Sequence, residues 1–297
     1  MDIKSFFALT ILKLLGLFTL QGARRFGAVI AWLLRISNST MYKVTKKNLA
    51  LVYPHLSKQE RERMARESLY HTGCSLAETG IAWGGTLEAL KKNEQKVVSV
   101  KNDHLLEDAV EAGQGVLMLT LHFGNWEWMN AALPQRSQKL MGLYKMAKMP
   151  ALEKNMLESR ERCGVTMVPG TREGVERFIK NYKSGNCCLI APDQEPSKKS
   201  GIWAEFFGLP AWSPKFIHQL TQENPKGKVL HVYMKRLPEG FELVFTEAEP
   251  EIYDSNLVVS ATAMNRGFEK CVADDPVQYQ WDYKRFKRNP EKHYKSL

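Results

Sequence analysis

His122 and Glu127 stand five positions apart in the run LHFGNWEW, directly after the apolar stretch GVLMLTL (115–121). A carboxylate on one nitrogen of an imidazole fixes its tautomer, and the other nitrogen can then take a proton from a hydroxyl. On a regular helix, residues at this spacing point about 140° apart and could not meet. They can meet if His122 lies on the turn leaving a strand and Glu127 lies in the first turn of the next helix. Gly124 supplies the turn and Asn125 a helix cap. Free backbone N–H groups at that helix start would face a developing oxyanion. The pair is the orienting half of a serine triad. No G-x-S-x-G accompanies it, so an acceptor substrate would bring the nucleophilic oxygen. By spacing alone, a capped helix with a histidine satisfied in the core is the commoner arrangement.

The surrounding elements are those such a site needs. GVLMLTL reads as a buried strand, and QKLMGLY, NCCLIAP, KVLHVYMK and GFELVFTE as further strands. Ser57 with Glu60 forms a capping box that opens a helix through QERERMARESLYHTG. Helices are also expected over KNDHLLEDAVEAG, from Pro150 to about Cys163, over TREGVERFIKNYKSG, from Pro214, and over roughly 255–272. Strands alternating with helices predict an α/β fold with a mixed, largely parallel central sheet covered by helices.

On the helix after Pro150, Leu152, Met156, Leu157 and Cys163 fall at helical spacing from Arg160, so that arginine is on the apolar face. It is a candidate to bind a phosphate or carboxylate. Arg162 lies on another face and reads as solvated. Asp193 follows Ala191-Pro192 at a strand end, where it could hold Arg160 or a sugar hydroxyl, or simply form a turn. With Asn125, these two are the candidate substrate-binding residues. The other six histidines (His55, His71, His104, His218, His231 and His293) have no metal-ligand spacing. Trp203, Phe206, Phe207 and Trp212 could line an apolar groove, dip into lipid or pack in a core. The basic tail 284–295 would be a solvated face or a phosphate contact.

The chain has 297 residues, 44% of them hydrophobic, with a formal charge of +10 and a mean hydropathy of −0.35. That excludes a multi-span transporter and suits an anionic partner. No nucleic-acid motif is present. Five cysteines without C-x-x-C read as reduced, mostly buried thiols, with neither disulfides nor zinc. Residues 5–34 are strongly apolar, with Lys13, Arg24 and Arg35 spaced eleven apart and Asp2 extending the series backwards. Thr10 and Gln21 widen the stripe. This predicts one long helix with an apolar face in or against lipid and a basic stripe turned to headgroups or protein. Residues 1–36 would be the anchor and 37–297 a single domain facing the cytoplasm. Lys43, Lys46 and Lys47 follow on that side.

HFGNWE after an apolar strand resembles the signature of the lipid A secondary acyltransferases, the late lauroyl or myristoyl transferases of Gram-negative bacteria. They belong to the glycerolipid acyltransferase superfamily, whose usual signature ends in Asp. TKKNLALVYPHLSKQERERMARESLYHTG (45–73), SRERCG (159–164), APDQEPS (191–197), EFFGLPAWSP (205–214) and PVQYQWDYKRFKRNPE (276–291) are similar to further blocks of that family, in order along nearly the whole chain. Asp282-Tyr283-Lys284 depart from its W-x-H-R-R-F-K pattern, and Ser213 stands where threonine is common. The resemblance implies acyl transfer from acyl carrier protein, or acyl-CoA, to a hydroxyl of a lipid A precursor at the inner membrane, forming an acyloxyacyl ester without a cofactor. His122 would be the general base and Glu127 its orienting carboxylate. Another glycolipid or a lysophospholipid as acceptor, slow thioesterase action, and a basic membrane-attached binding protein are the alternatives.

Overall fold

The computed structural model describes residues 3–84, 96–137, 139–295 and 297. Four helices come first: α1 (Ile3–Leu15), α2 (Leu20–Ile36), α3 (Thr40–Val52) and α4 (Lys58–Gly84). The Ser57–Glu60 capping box forms as expected, with Ser57 N–H donating to Glu60 Oε2 (2.7 Å) and Glu60 N–H to Ser57 Oγ (3.2 Å). Then follow β1 (Val97–Lys101), α5 (His104–Glu111), β2 (Val116–Gly124), β3 (Met141–Tyr144), α6 (Pro150–Arg162), β4 (Thr166–Pro169), α7 (Arg172–Lys183) and β5 (Cys187–Ile190). The last part holds β6 (Gly201–Phe206), β7 (Leu209–Pro214), α8 (Phe216–Glu223), β8 (Lys228–Arg236), β9 (Phe241–Glu247) and α9 (Leu257–Asp274).

Seven strands form one sheet in the order β1-β9-β8-β2-β5-β3-β4. Only the β8–β9 pair is antiparallel, so the sheet is mixed and largely parallel, as the alternation of elements predicts. β2 runs down its middle, and alternate side chains feed two cores. Leu117, Leu119, Leu121 and Phe123 join a cluster with Phe178, Tyr182 and Phe268, while Val116 and Met118 join one with Trp128, Val232 and Met234. The expectations missed β1, β4 and the separate β6–β7 hairpin. That hairpin turns through Phe207 and Gly208, both at positive φ, as a two-residue turn of right-twisted strands requires.

The N-terminal segment differs from the single helix expected. It breaks after Leu15, and Thr19 starts α2 by accepting a hydrogen bond from Gly22 N–H (3.1 Å). The basic stripe is divided as well. Lys13 and Arg35 are exposed, but Arg24 is buried and ion-paired to Glu78 (2.9 Å), while Gln21 donates to the Pro238 carbonyl (3.0 Å). Asp2 lies outside the described residues. No helix among the described residues is long and apolar enough to cross a membrane. Even so, Phe6, Phe7, Ile11 and Leu14 of α1 and Phe26, Val29, Trp32 and Leu33 of α2 are each 41–59% exposed.

α2 lies on α4 at backbone contact, because Gly27 faces Gly73. A Cβ on Gly27 would come within 2.7 Å of the Cys74 backbone, and one on Gly73 would strike the Gly27 carbonyl. In a free helix Gly→Ala gains about 1 kcal/mol, whereas forced overpacking costs about 1–3 kcal/mol. Gly73→Ala should therefore lower the melting temperature; a rise would show that the two helices separate freely.

Candidate active site

The reactive end of the sheet is set by strand register. β2 and β5 are parallel neighbours with Leu119 opposite Ile190, so three residues further on His122 comes level with Asp193. Asp193 there takes two hydrogen bonds from one residue: its Oδ2 accepts the His122 backbone N–H (3.0 Å), and its Oδ1 lies 2.8 Å from His122 Nδ1. Between Thr120 and Gly124 the pairing of β2 with β8 shifts, and this bulge carries the His122 side chain. Gln280 N–H donates to the His122 carbonyl (2.9 Å), and Phe123 bridges to Tyr279, so the C-terminal segment holds the other edge.

The turn forms as the sequence predicts. Gly124 has φ +56°, and a Cβ there would collide with the Met234 carbonyl. Asn125 caps the next turn, its Oδ1 accepting from Glu127 N–H (3.2 Å). That turn is a short 3₁₀ segment, Trp126–Trp128, followed by Met129–Ala132. The amides of Asn125, Glu127 and Trp128 are taken by Met234 O, Asn125 Oδ1 and Asn125 O, so the set of free donors expected at a helix start is largely used up.

Glu127 does not touch the imidazole as expected. Its carboxylate is clasped by Arg160, with Nη2 on Oε1 (2.6 Å) and Nε on Oε2 (3.1 Å). Trp83 Nε1 (2.8 Å), Trp126 Nε1 (3.1 Å) and Asn130 Nδ2 (3.4 Å) complete the cage. Asp193 is the residue on His122, neither bound to Arg160 nor a mere turn former. Asn125 is fully engaged too, since its amide donates to Glu78 Oε2 (2.9 Å) while its oxygen caps the turn. It shapes the loop through both ends of its amide. Arg162 is exposed, as expected, and its Nε donates to the Glu158 carbonyl.

Burial opposes charge on His122, but the charge and hydrogen bond of Asp193, aided by the Glu127 carboxylate, leave its pKa above the ordinary 6.5. Burial would raise both carboxyls. The His122 imidazole instead holds Asp193 below its ordinary value, and Arg160 does the same for Glu127. Both acids are therefore ionised near neutral pH.

Two cavities meet at His122 and Trp126, whose rings lie edge to face at 4.7 Å. The larger, about 460 Å³, runs over the ends of β3 and β5, past Tyr144, Met156, Arg160, Ile190 and Gln194. The smaller, about 150 Å³, lies against α4 and the segment 278–282. Gln194 Nε2 stands 3.5 Å from His122 Nε2 and donates to Gln280 Oε1 (3.2 Å).

No local spacing marks Gln194, Trp83, or the buried pair Glu78 and Arg236. Arg236 Nη2 donates to Glu78 Oε2 (2.7 Å), to Ser75 Oγ (2.9 Å) and to the Gly124 carbonyl (3.0 Å), tying the Gly124 turn to α4. Phe206 is buried core; Trp203 is 37% exposed. Arg285 of the basic tail is buried, donating to Trp212 O and Ser213 Oγ (both 2.9 Å). Cys74, Cys187, Cys188 and Cys271 are buried free thiols. Among the described residues no group of three or more His, Cys, Asp or Glu is placed to hold a metal.

Comparison with known proteins decides the family. The model of the bacterial lipid A biosynthesis acyltransferases matches residues 2–288. The chain belongs to that family. It is an acyltransferase. Among relatives, it is similar to the lipid A biosynthesis lauroyltransferase of Escherichia coli K12, 25% identical over 84% of this chain and 80% of that one. The lipid A biosynthesis palmitoleoyltransferase of the same organism is 27% identical over 83% and 79%. A phosphatidylinositol mannoside acyltransferase of Mycobacterium tuberculosis shares 28% identity over only 38% of this chain and 36% of its own.

The geometry makes two predictions. Because the Asp193 carboxylate raises the His122 pKa, the acid limb of kcat/KM should lie above pH 6.5 in wild type and shift to lower pH in Asp193→Asn. In that variant kcat should also fall roughly 10²–10⁴-fold, as the wrong tautomer is favoured; an unshifted limb would detach Asp193 from the base. Arg160→Ala leaves the buried Glu127 charge without its cation, a loss of about 3–5 kcal/mol. Thermal unfolding should show a drop of several degrees, partly relieved in the double variant with Glu127→Gln.

Proposed function

We propose that this chain transfers a fatty acyl group from acyl carrier protein, or from acyl-CoA, to a hydroxyl of a lipid A precursor, making an acyloxyacyl ester. The observation that carries the reading is the Asp193–His122 pair at the meeting of two cavities, in a member of this family. With Nδ1–H on Asp193, His122 Nε2 takes the proton of the acceptor hydroxyl. The oxygen attacks the thioester carbonyl, and a tetrahedral oxyanion forms. On collapse the C–S bond breaks, and the imidazolium returns its proton to the leaving thiolate. No metal or bound cofactor takes part.

The Gln194 amide, close to Nε2, is placed to donate to that oxyanion. Glu127 stabilises the imidazolium through space and holds Arg160, which lines the larger cavity and would meet a phosphate of the acceptor there. Residues 1–36 serve as the membrane anchor. Their exposed apolar side chains would sink into the cytoplasmic face of the inner membrane, leaving 37–297 as the acyltransferase domain above it.

The test is acylation in detergent. Purified protein is given acyl-acyl carrier protein or acyl-CoA, in separate arms, with a tetra- or penta-acylated lipid A precursor, and product masses are read. Wild type should add one acyl group. His122→Ala and Glu127→Ala should lose roughly 10²–10⁴-fold of the rate. Fully active variants would refute the site. Donor consumption with unchanged lipid A would move the acceptor to another glycolipid, the direction to which the mycobacterial relative points.

A further inference from the structure

The smaller cavity also reaches His122, and its wall has an unusual member. Asp282 Oδ1 is buried without a hydrogen-bond partner. Leaving a carboxylate oxygen dry and unpaired costs free energy that folding ordinarily avoids. Burial pushes the Asp282 carboxyl up to about 6, against its own backbone N–H and the nearby His122 charge, which both pull it down.

His71 lines the same cavity. Its Nδ1 faces Arg236 Nη1 at 2.9 Å, and burial together with the Arg236 charge holds its pKa down to about 3. The ring is thus neutral, accepts on Nδ1 and carries its proton on Nε2. The cavity therefore combines an acceptor, Asp282, with a donor, His71. Met41, Leu76 and Trp126 supply apolar wall, and Leu76 is 48% exposed, which opens the cavity to the surface.

We infer that this cavity is a second substrate subsite beside His122, taking an amide group attached to an aliphatic chain, with Asp282 as the specificity residue that accepts its N–H. The inference rests on the acyl-transfer reading above. Two substrates of that reaction carry such an amide near the reacting atoms. One is the pantetheine arm of the thioester donor, whose amide nitrogen is two carbons from sulfur. The other is a 3-hydroxyacyl chain linked to a sugar amine. The chemistry is shared, and kinetics separate the sources.

Initial rates of the full-length protein are measured with each substrate varied in turn, for wild type, Asp282→Asn, Asp282→Ala and Leu76→Trp. A hydrogen bond to a charged group is worth about 1.5–3 kcal/mol, so Asp282→Ala should raise one KM roughly 10- to 100-fold while kcat changes far less. Asp282→Asn, which keeps an acceptor oxygen, should recover part of the loss, and Leu76→Trp should raise the same KM by narrowing the cavity. A rise confined to the donor KM assigns the pantetheine amide; one confined to the acceptor KM assigns the hydroxyacyl amide. Unmoved KM values in Asp282→Ala, or a fall in kcat alone, would overturn the inference and leave the acyl-transfer reading intact. A wild type that transfers no acyl group would remove that reading, and the inference with it.

Discussion

A single buried carboxylate, Glu78, joins the parts of this molecule that have to agree. It receives Arg24 from α2 (2.9 Å), Arg236 from β8 (2.7 Å) and the Asn125 amide from the catalytic turn (2.9 Å). Its side chain is wholly inaccessible, and those of Arg24 and Arg236 are 6% and 3% exposed. Burying three charges costs several kcal/mol for each ion, and attraction between them repays this only when every polar atom is satisfied. Arg24 also donates to Leu237 O, Pro238 O and Gly240 O, and Arg236 to Ser75 and Gly124 O, so the condition is met by fixing geometry in all directions. An apolar substitute would pack but would not define where the Gly124 carbonyl points. The gain from the cluster is positional: the N-terminal helices and the turn after His122 share one rigid reference.

A similar division of labour governs the two acidic residues nearest the base. Asp193 contacts His122 and sets its tautomer. Glu127, in the motif itself, contacts Arg160, which lines the larger cavity. Each carboxylate has its own cation, so neither competes for the other's partner. Both negative charges nevertheless act on the imidazole through space. Proton affinity at the base is thus raised by a contact and a field, while the attached guanidinium limits the second of these.

Much of this could be read from the chain. The alternation of apolar runs and capped helices gives the layered α/β plan, and Gly124 and Asn125 give the turn because their backbone and capping demands are local. Arg160 was visible as a charge on an apolar face, although its partner was not. The His122–Asp193 contact was hidden because 71 residues separate its members. Their meeting depends on β2 lying beside β5, which neither strand's own sequence states. Arg24 departs from the predicted stripe for a related reason: the eleven-residue spacing is a property of the N-terminal segment alone, while the acid that neutralises Arg24 belongs to α4. Segments such as β1 and β4 escaped notice because four or five residues at a sheet edge have too little periodicity to register.

The pairing of Leu119 with Ile190 has a consequence for how such a chain can change over time. Side chains on a strand alternate between faces, so adding or deleting one residue before His122 in β2, or before Asp193 in β5, would turn the altered partner to the opposite side of the sheet. Point replacements within the two strands can be absorbed by repacking, but changes of length cannot. Diversity of length is confined to segments that do not feed this register, such as the hairpin turn at Phe207–Gly208. Lineages of this enzyme can therefore vary in the regions around the two strands, while the distance each strand travels to its reactive end stays fixed.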